Sequence, residues 1–333
     1  MKKEAYAESW TITSDMTHRM IQQIRSLPPH DTKNTVSMNE ARNIVIMLSK
    51  PMAEILNVID KTKKEGEDTQ RLIANASADI MNFEKNLHFK GYSLETTYLD
   101  YPKTVCTHKD CVKHVQVGQS GTQNTVYVTE CHAHCYLNGI PKETTNNPDL
   151  SDCKAFNCRG DKCIICQHDY KIHMHITYST KPVLQDFLSP EAQKNIAEKG
   201  SVKEKKKEFL KQLEAKITEL EYEKIVIVDS AAKFATFMKN SAMIPYNDSF
   251  IDYLDYLISD EENKSRELRD DGKIQRLKEN KNTYSENIRN LKKAIASGSD
   301  VMIDPQKIYE MKANLMKLKH YGKALESIIG NKF

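Results

Sequence analysis

The cysteine and histidine residues of this chain are concentrated in one stretch of the sequence. All eight cysteines lie between Cys106 and Cys166, and seven of the eleven histidines lie between His108 and His175. Thiolates and neutral imidazoles are the ligands that zinc prefers in proteins. This concentration therefore predicts a small module that folds around metal ions, and it constrains the fold more than any other feature of the sequence.

Clustered cysteines also occur in disulfide frameworks and in redox-active Cys-x-x-Cys motifs, which Cys163-Ile164-Ile165-Cys166 matches in spacing. Disulfides need an oxidising compartment, whereas the N-terminal sequence MKKEAYAESW has no apolar signal-peptide core, and no apolar run is long enough to span a membrane. The Cys-x-x-Cys pair ends a Cys/His array and does not stand at the strand-to-helix junction of thioredoxin-like sites. The sequence thus favours a cytoplasmic protein whose cysteines bind metal.

The local pattern suggests how some of the ligands group. Two β-branched runs separated by a glycine-containing loop, within residues 112–129, predict a β-hairpin. Cys106 and Cys111 precede the first strand, and Cys131 and Cys135 follow the second. Because the two ends of a hairpin lie side by side, we expect these four thiols to bind one zinc ion.

A second group of candidate ligands follows the hairpin. Cys163 and Cys166 precede a strand-like segment whose alternating pattern places His173 and His175 on the same face. The two cysteines and one or both histidines are expected to form a second zinc site, which Cys153 could complete. An exchange of ligand pairs between the two sites, as in cross-braced modules, stays open.

Eight cysteines and seven histidines exceed the eight ligands that two tetrahedral zinc ions need. The predicted ligands are Cys106, Cys111, Cys131, His132, Cys135, Cys153, Cys163, Cys166, His173 and His175. His168, like His132, stands beside a predicted ligand and is expected to bind metal or to orient a ligand. The expected bystanders are Cys158, His108, His114 and His134.

The ligand types favour structural zinc. Structural sites are closed and rich in thiolate, whereas catalytic sites keep an open position. The sequence contains neither His-Glu-x-x-His nor a His-x-Glu paired with Pro-Cys-x-x-Cys, so the glutamate of metalloproteases and of zinc deaminases is missing. We therefore expect no enzymatic activity.

Helical patterns flank the module on both sides. Before the module, apolar residues at helical spacing predict three helices. The first covers residues 15–27, the second begins at a Ser37–Glu40 capping box, and the third covers residues 68–86. After it, apolar residues from Leu210 to Met238 recur in steps of three and four, the pattern of a coiled-coil seam, and a weaker repeat follows over 277–295.

The predicted fold class is α+β, mostly α-helical with long helices or coiled coil and with a small β-rich zinc-binding module in the middle. The expected domains are a helical linker region (residues 1–90), the Cys/His-rich zinc module (91–182) and a helical tail with coiled-coil segments (183–333). The net charge is +3 and the basic residues of the module are scattered, which argues against nucleic acid and membranes as partners. We expect protein partners, or self-association through the tail.

Several motifs carry a resemblance to a known family. They are Ser26-Leu27-Pro28-Pro29-His30, Thr35-Val36-Ser37-Met38-Asn39-Glu40-Ala41-Arg42, Leu48-Ser49-Lys50-Pro51, Cys131-His132-Ala133-His134-Cys135 and Cys163-Ile164-Ile165-Cys166-Gln167-His168 with the following His173-Met174-His175. Together they resemble the region downstream of the G domain in uncharacterised P-loop GTPases distantly like the immunity-associated and septin-type GTPases. In those proteins helices, a cysteine-rich module and a helical tail follow the G domain. This chain contains no G-x-x-x-x-G-K-[ST], so no nucleotide binding is expected.

These observations lead to one functional expectation and two alternatives. We expect a non-enzymatic, zinc-stabilised interaction or regulatory protein that resembles the part of a GTPase after its G domain. The first alternative is a fragment of a longer GTP-binding protein, which an in-frame P-loop upstream would reveal. The second is a zinc-dependent nucleic-acid binder, whose affinity would fall steeply with added salt.

Overall fold

A computed structural model of the chain describes residues 2–27, 32–75, 89–117, 122–137, 143–241, 248–297 and 303–330. The chain divides into two compact units, Met1–Glu40 and Ala41–Phe333. Two predicted features lie outside the described residues, namely the second half of the 68–86 helix and the loop of the predicted hairpin.

The described residues contain eight α-helices and five β-strands. The helices are α1 (Lys2–Ser26), α2 (Thr32–Asn75), α3 (Pro190–Ala197), α4 (Val202–Ser241), α5 (Ser249–Glu262), α6 (Asp271–Ala296), α7 (Pro305–Met316) and α8 (Gly322–Gly330). The strands are β1 (Lys90–Cys106), β2 (Val112–Val117), β3 (Thr122–Tyr127), β4 (Glu130–His132) and β5 (His173–Asp186). This arrangement confirms the predicted α+β class, with a small β-rich region between helical segments.

Helix α2 begins earlier than the sequence pattern predicted. It starts at Thr32, so the Ser37–Glu40 capping box lies inside the helix, and it continues through Pro51. A cap contributes only about 1 kcal/mol, whereas each further helical residue adds a backbone hydrogen bond. The predicted apolar face is buried, as expected. Its residues are Ile44, Val45, Leu48, Met52, Ile55, Leu56 and Ile59.

Strands β1 and β5 form the central antiparallel ladder. Their pairing runs from Lys90 opposite Asp186 to Cys106 opposite His173 and is interrupted only after Tyr98. The short strand β4 pairs with the other edge of β1, which gives the sheet order β4-β1-β5. β2 and β3 form a separate antiparallel pair, which confirms the predicted hairpin strands.

The first residues of β1 are anchored to the helices. The Tyr92 N–H donates to Thr62 Oγ1 of α2 at 2.9 Å, and the Tyr321 hydroxyl donates to the Tyr92 carbonyl oxygen at 2.7 Å. A Cβ at Gly91 would lie 2.5 Å from Thr62 Cγ2, so only glycine lets α2 approach the strand this closely. The ladder is thus fixed at one end by helices, and its other end carries the cysteines and histidines.

The helical tail buries much of the predicted apolar seam within the chain. The buried seam residues of α4 are Leu213, Leu220, Ile227, Ala231, Phe234 and Met238. The coiled-coil geometry itself stays a prediction. Asp304 caps α7 by accepting a hydrogen bond from the Lys307 N–H at 2.8 Å, and Pro305 occupies the first helical turn. Nowhere in the described ranges is a helix both long and apolar enough to cross a lipid bilayer.

Candidate metal centre

The cysteines form the interior of the module at the far end of the β1–β5 ladder. All eight are free thiols, and six of them are buried together with Leu150, Ala155 and Phe156 in one cluster. In and beside this cluster, side chains form three groups. Within each group, every side chain has a ligand atom within 4.8 Å of the ligand atoms of the other members. We call the groups site A (Cys131, Cys163, Cys166 and His173), site B (His132, Cys135 and Cys153) and site C (Cys106, Cys111 and His168).

Site A has the dimensions of a tetrahedral zinc site. Sγ of Cys131 lies 3.7 Å from Sγ of Cys166 and 3.5 Å from Nε2 of His173. Sγ of Cys166 lies 3.3 Å from the same nitrogen. A tetrahedral ion with Zn–S bonds of about 2.3 Å and a Zn–N bond of about 2.0 Å separates two sulfurs by about 3.8 Å, and a sulfur from a nitrogen by about 3.5 Å. The four side chains therefore fit a closed Cys3His site.

The imidazole of His173 is oriented for metal binding. Its Nδ1 lies 2.8 Å from the Asp169 carbonyl oxygen, so Nδ1 carries the proton and the lone pair of Nε2 faces the thiols. Burial lowers the pKa of His173 to about 4, and the ring is therefore neutral at neutral pH. The Phe156 ring packs against it edge to face, with centroids 4.9 Å apart. Such a fixed, neutral ring is the form in which histidine binds zinc.

A tight turn over residues 163–168 supplies two of the cysteines. The Cys163 N–H donates to the His168 carbonyl at 2.8 Å, and the Gln167 N–H donates to the Cys163 carbonyl at 2.9 Å. Gln167 adopts a left-handed conformation with φ of 63°. The Ile165 N–H points at Cys163 Sγ from 3.4 Å. The backbone of this turn thus holds the Cys163 sulfur in place through an amide contact.

Site B contains a coupled pair of thiols. Cys135 Sγ lies 3.6 Å from Cys153 Sγ, which in turn lies 3.2 Å from Nδ1 of His132. Hydrogen bonding from Cys153 lowers the pKa of Cys135 to about 3, and the Thr104 hydroxyl acts in the same direction. The same hydrogen bond raises the pKa of Cys153. The two thiols therefore share one hydrogen bond, and their pKa values move in opposite directions.

His175 is a buried histidine beside Cys135 of site B, although it is not one of the three grouped ligands. The side chain is 1% exposed, and neither ring nitrogen makes a hydrogen bond of normal geometry to a described residue. An imidazole nitrogen left in this state costs about 1–3 kcal/mol. A metal ion shared with Cys135 would give one of these nitrogens its missing partner, and it would make site B a Cys2His2 site with His132 and Cys153.

Site C adjoins site A. Nδ1 of His168 is 3.5 Å from Cys106 Sγ and 3.6 Å from Cys111 Sγ, close to the separation in a tetrahedral zinc site. The Cys166 sulfur of site A also lies within 4.8 Å of all three ligand atoms. The His108 ring stacks on that of His168 with centroids 3.8 Å apart.

Burial and crowding oppose ionisation of the thiols in the cluster. Burial raises the pKa of the Cys106 and Cys131 thiols, and neighbouring sulfurs raise it further. Thiolates packed this closely cannot all be charged unless a positive ion lies between them. A bound metal ion would supply that charge, and its binding would release the thiol protons.

The structure corrects the predicted grouping of ligands. The hairpin does not bring Cys106 and Cys111 to one ion with Cys131 and Cys135, because Cys131 lies in β4 beside β1 and belongs to site A, while Cys135 belongs to site B. Neighbouring residues of a strand face opposite sides, and Cys131 and His132 accordingly join different sites.

The second predicted group also changes. Of the two histidines expected beside Cys163 and Cys166, only His173 lies in their group. Cys153 does not complete that group, and its sulfur instead contacts Cys135. His173 and His175 lie two residues apart on β5 and so share a strand face, but only His173 is grouped with site A.

Three of the expected bystanders lie outside the three sites. Cys158 is exposed and belongs to none of the groups. His114 lies 3.7 Å from Asp260, and His134 stacks on Tyr101 with centroids 3.6 Å apart. That these residues do not bind metal stays a prediction.

His168 belongs to site C, although the sequence analysis did not include it among the predicted ligands. Its position two residues after Cys166, a Cys-x-His pair, is the signal that could have identified it. His108, the fourth expected bystander, lies closer to the metal centre than predicted, because its ring nitrogen groups with His168 and the Asp110 carboxylate.

The three sites lie within one matched domain. Residues 98–179 match DUF8206, a domain of unknown function. The DUF8206 match begins in β1 and ends in β5, so it contains every residue of sites A, B and C together with the β2–β3 hairpin. No curated protein and no solved structure showed significant similarity to the chain.

Proposed function

We propose that this chain is a non-enzymatic interaction or regulatory protein whose central module folds around zinc ions bound at sites A and B. Site A carries the proposal, because three thiolates and one oriented imidazole stand at the separations of a tetrahedral zinc ion. Soft thiolate ligands with imidazole select zinc over magnesium or calcium. The orphaned nitrogens of His175 support a second ion at site B.

The coordination at these two sites supports a structural role for the metal. Four protein ligands fill the coordination sphere of zinc, and a full sphere leaves no position for the activated water of a hydrolytic enzyme. The apolar part of the module's core is small, since Leu150, Ala155 and Phe156 accompany the six buried cysteines. Metal binding is then a large part of the folding free energy of the module.

The rigid turn of site A supports an interaction role. Ile164 and Ile165 stand between the two cysteines of the turn, and their exposed fractions are 47% and 57%. Zinc bound to Cys163 and Cys166 would hold these two apolar side chains in a fixed position at the surface, ready to contact a partner protein. A reducing compartment such as the cytoplasm would keep the ligand thiols available.

Metal content tests the proposal directly. We expect the purified full chain to contain at least two zinc ions, measured by metal analysis and by native mass spectrometry, with no disulfide. Cys153→Ser should lower the content by one ion and leave site A loaded, because site B has lost a thiolate. Cys158→Ser is the matched control and should keep the full content. A chain without zinc, or with four disulfides, would contradict the proposal.

The resemblance to the region after a G domain supports a regulatory role beside a nucleotide-binding domain, on the same or another chain. This chain itself is expected not to bind GTP or ATP. Gly272 and Gly322, each followed by lysine, lie in the first turns of α6 and α8, whereas a P-loop follows a strand. The Lys273 ammonium is 2.8 Å from Glu261. The amides before α8 donate to Glu223, so neither helix start is open to phosphate.

Calorimetric titration of the full chain with GTP and magnesium should give no saturable heat at micromolar concentrations. The same titration with ATP should also be flat, because a site that recognises the phosphates would accept both nucleotides. Saturable binding of either nucleotide would reveal a site unrelated to a P-loop.

A further inference from the structure

We infer that sites A and C form one binuclear cluster in which the Cys166 thiolate bridges two zinc ions. The inference rests on the proposed zinc-binding function and extends it to a third ion. Its basis is the position of one sulfur atom. Cys166 Sγ lies within 4.8 Å of every ligand atom of site A and, equally, of every ligand atom of site C. A thiolate sulfur has enough lone pairs to bind two ions at once.

The turn over residues 163–168 explains how one sulfur reaches both sites. Cys163 at its start belongs to site A, and His168 at its end belongs to site C. Cys166 lies between them in the sequence and in space. Because the Cys163–His168 and Gln167–Cys163 backbone hydrogen bonds close the turn at 2.8 and 2.9 Å, the three ligands are held as one unit.

Site C needs a fourth ligand, and the bridge provides it. Cys106, Cys111 and His168 supply three ligands, whereas structural zinc takes four. His108 also lies near this site. Its ring stacks on His168 with an interplanar angle of 29°, and its Nδ1 lies 3.4 Å from the Asp110 N–H. Imidazole binds a metal in its own ring plane, and an ion in the plane of His168 lies well outside the plane of the stacked His108.

Charge also favours a shared sulfur. Sites A and C together contain five cysteines, so two zinc ions would leave the cluster with a net of about one negative charge. A separate fourth thiolate for each ion would add another negative charge to a buried cluster, and uncompensated buried charge is costly. The bridge gives each ion four ligands without that additional charge.

Cadmium-113 NMR of the full chain, with cadmium in place of zinc, tests the bridge. We expect three metal ions per chain and three cadmium resonances. Two of them should be split by scalar coupling to one another, because the two cadmium ions share one sulfur atom. The third resonance, from site B, should show no such coupling.

Metal content of variants provides a second readout. Cys166→Ala should lose two ions, since it removes a ligand from both members of the cluster, whereas Cys111→Ala should lose one. Cys158→Ser should keep all three. If Cys166→Ala does not fold, the cadmium spectrum of the unmodified chain still shows whether the two ions share a sulfur atom.

The outcomes separate the bridge from the zinc-binding function. Two uncoupled cadmium ions, with the metal content of Cys111→Ala unchanged, would overturn the bridge and leave zinc binding at sites A and B intact. Three ions without coupling would likewise overturn the bridge. A chain that binds no metal would overturn both.

Discussion

Replacement of Cys163 by serine is expected to unfold the metal-binding module. The side chain is 1% exposed and belongs to site A, in which every ligand is needed for a closed sphere. Apparent binding free energies of structural zinc are about 10–16 kcal/mol, comparable to the whole stability of a small domain, about 5–15 kcal/mol. If site A holds zinc as proposed, losing a ligand removes most of what stabilises this module.

Hydrogen exchange followed by mass spectrometry on the full chain measures this effect. The amides between residues 106 and 173 should lose protection in Cys163→Ser, while those of α4 and α6 should keep it. Cys158→Ser is the matched control, because Cys158 lies in the same module but is exposed and outside the three sites. Equal loss of protection in the two variants would contradict the assignment of site A.

Replacement of Lys50 by methionine is expected to destabilise the chain by about 3–5 kcal/mol, the cost of breaking a buried ion pair. The Lys50 ammonium lies 3.4 Å from the Glu143 carboxylate, and the side chains are 4% and 2% exposed. The Lys50 ammonium also lies 4.4 Å from the centre of the Tyr178 ring. The Glu143 carboxylate further accepts hydrogen bonds from the N–H and hydroxyl of Thr177 at 2.6 Å. Methionine would fill the space and leave this carboxylate without its cation.

Urea denaturation of the full chain measures the change, and Lys194→Met is the control. Lys194 pairs with Glu198 at 3.7 Å, but the two side chains are 74% and 61% exposed. Exposed pairs contribute about 0–1 kcal/mol, so this control should change stability little. If Lys50→Met cost no more than Lys194→Met, the buried pair would not stabilise the fold.

The Lys50→Met effect should also depend on pH. Burial raises the pKa of Glu54, and the attraction of Lys50 opposes that rise. Without Lys50, the pKa of Glu54 should rise further. A group whose pKa is higher in the folded state stabilises the fold at low pH and loses that contribution as pH increases. The variant should therefore be less destabilised near pH 5 than near pH 8.

The sequence predicted that cysteines and histidines gather in the module, although not how they divide among the three sites. The concentration of cysteine and histidine identified the ligand candidates, and period-2 alternation placed His173 and His175 on a common strand face. The division among sites depends on the pairing of β1 with β4 and β5, where Thr104 lies opposite both His132 and His175. Such a long-range register leaves no local pattern in the sequence.

Two further features had no usable sequence signal. In the sequence, Lys50 is one polar residue of an amphipathic helix. Because its partner Glu143 is distant along the chain, no local pattern indicates a buried ion pair. The predicted start of α2 was wrong because a capping box is a weak signal. The helix continues through it when the surrounding residues also favour a helix. Long apolar repeats were more reliable, since the residues of the α4 seam that lie in its second half are buried.

The β1–β5 ladder has a consequence for how the chain folds. Its strands are joined by residues 107–172, and its last pair is Cys106 with His173. Closing such a long connection costs chain entropy before any pairing is gained, and folding dominated by distant contacts is slow. Metal bound inside that connection would divide it into shorter loops. The supply of zinc should therefore set the rate at which the two strands meet during synthesis and refolding, in addition to the stability that they reach.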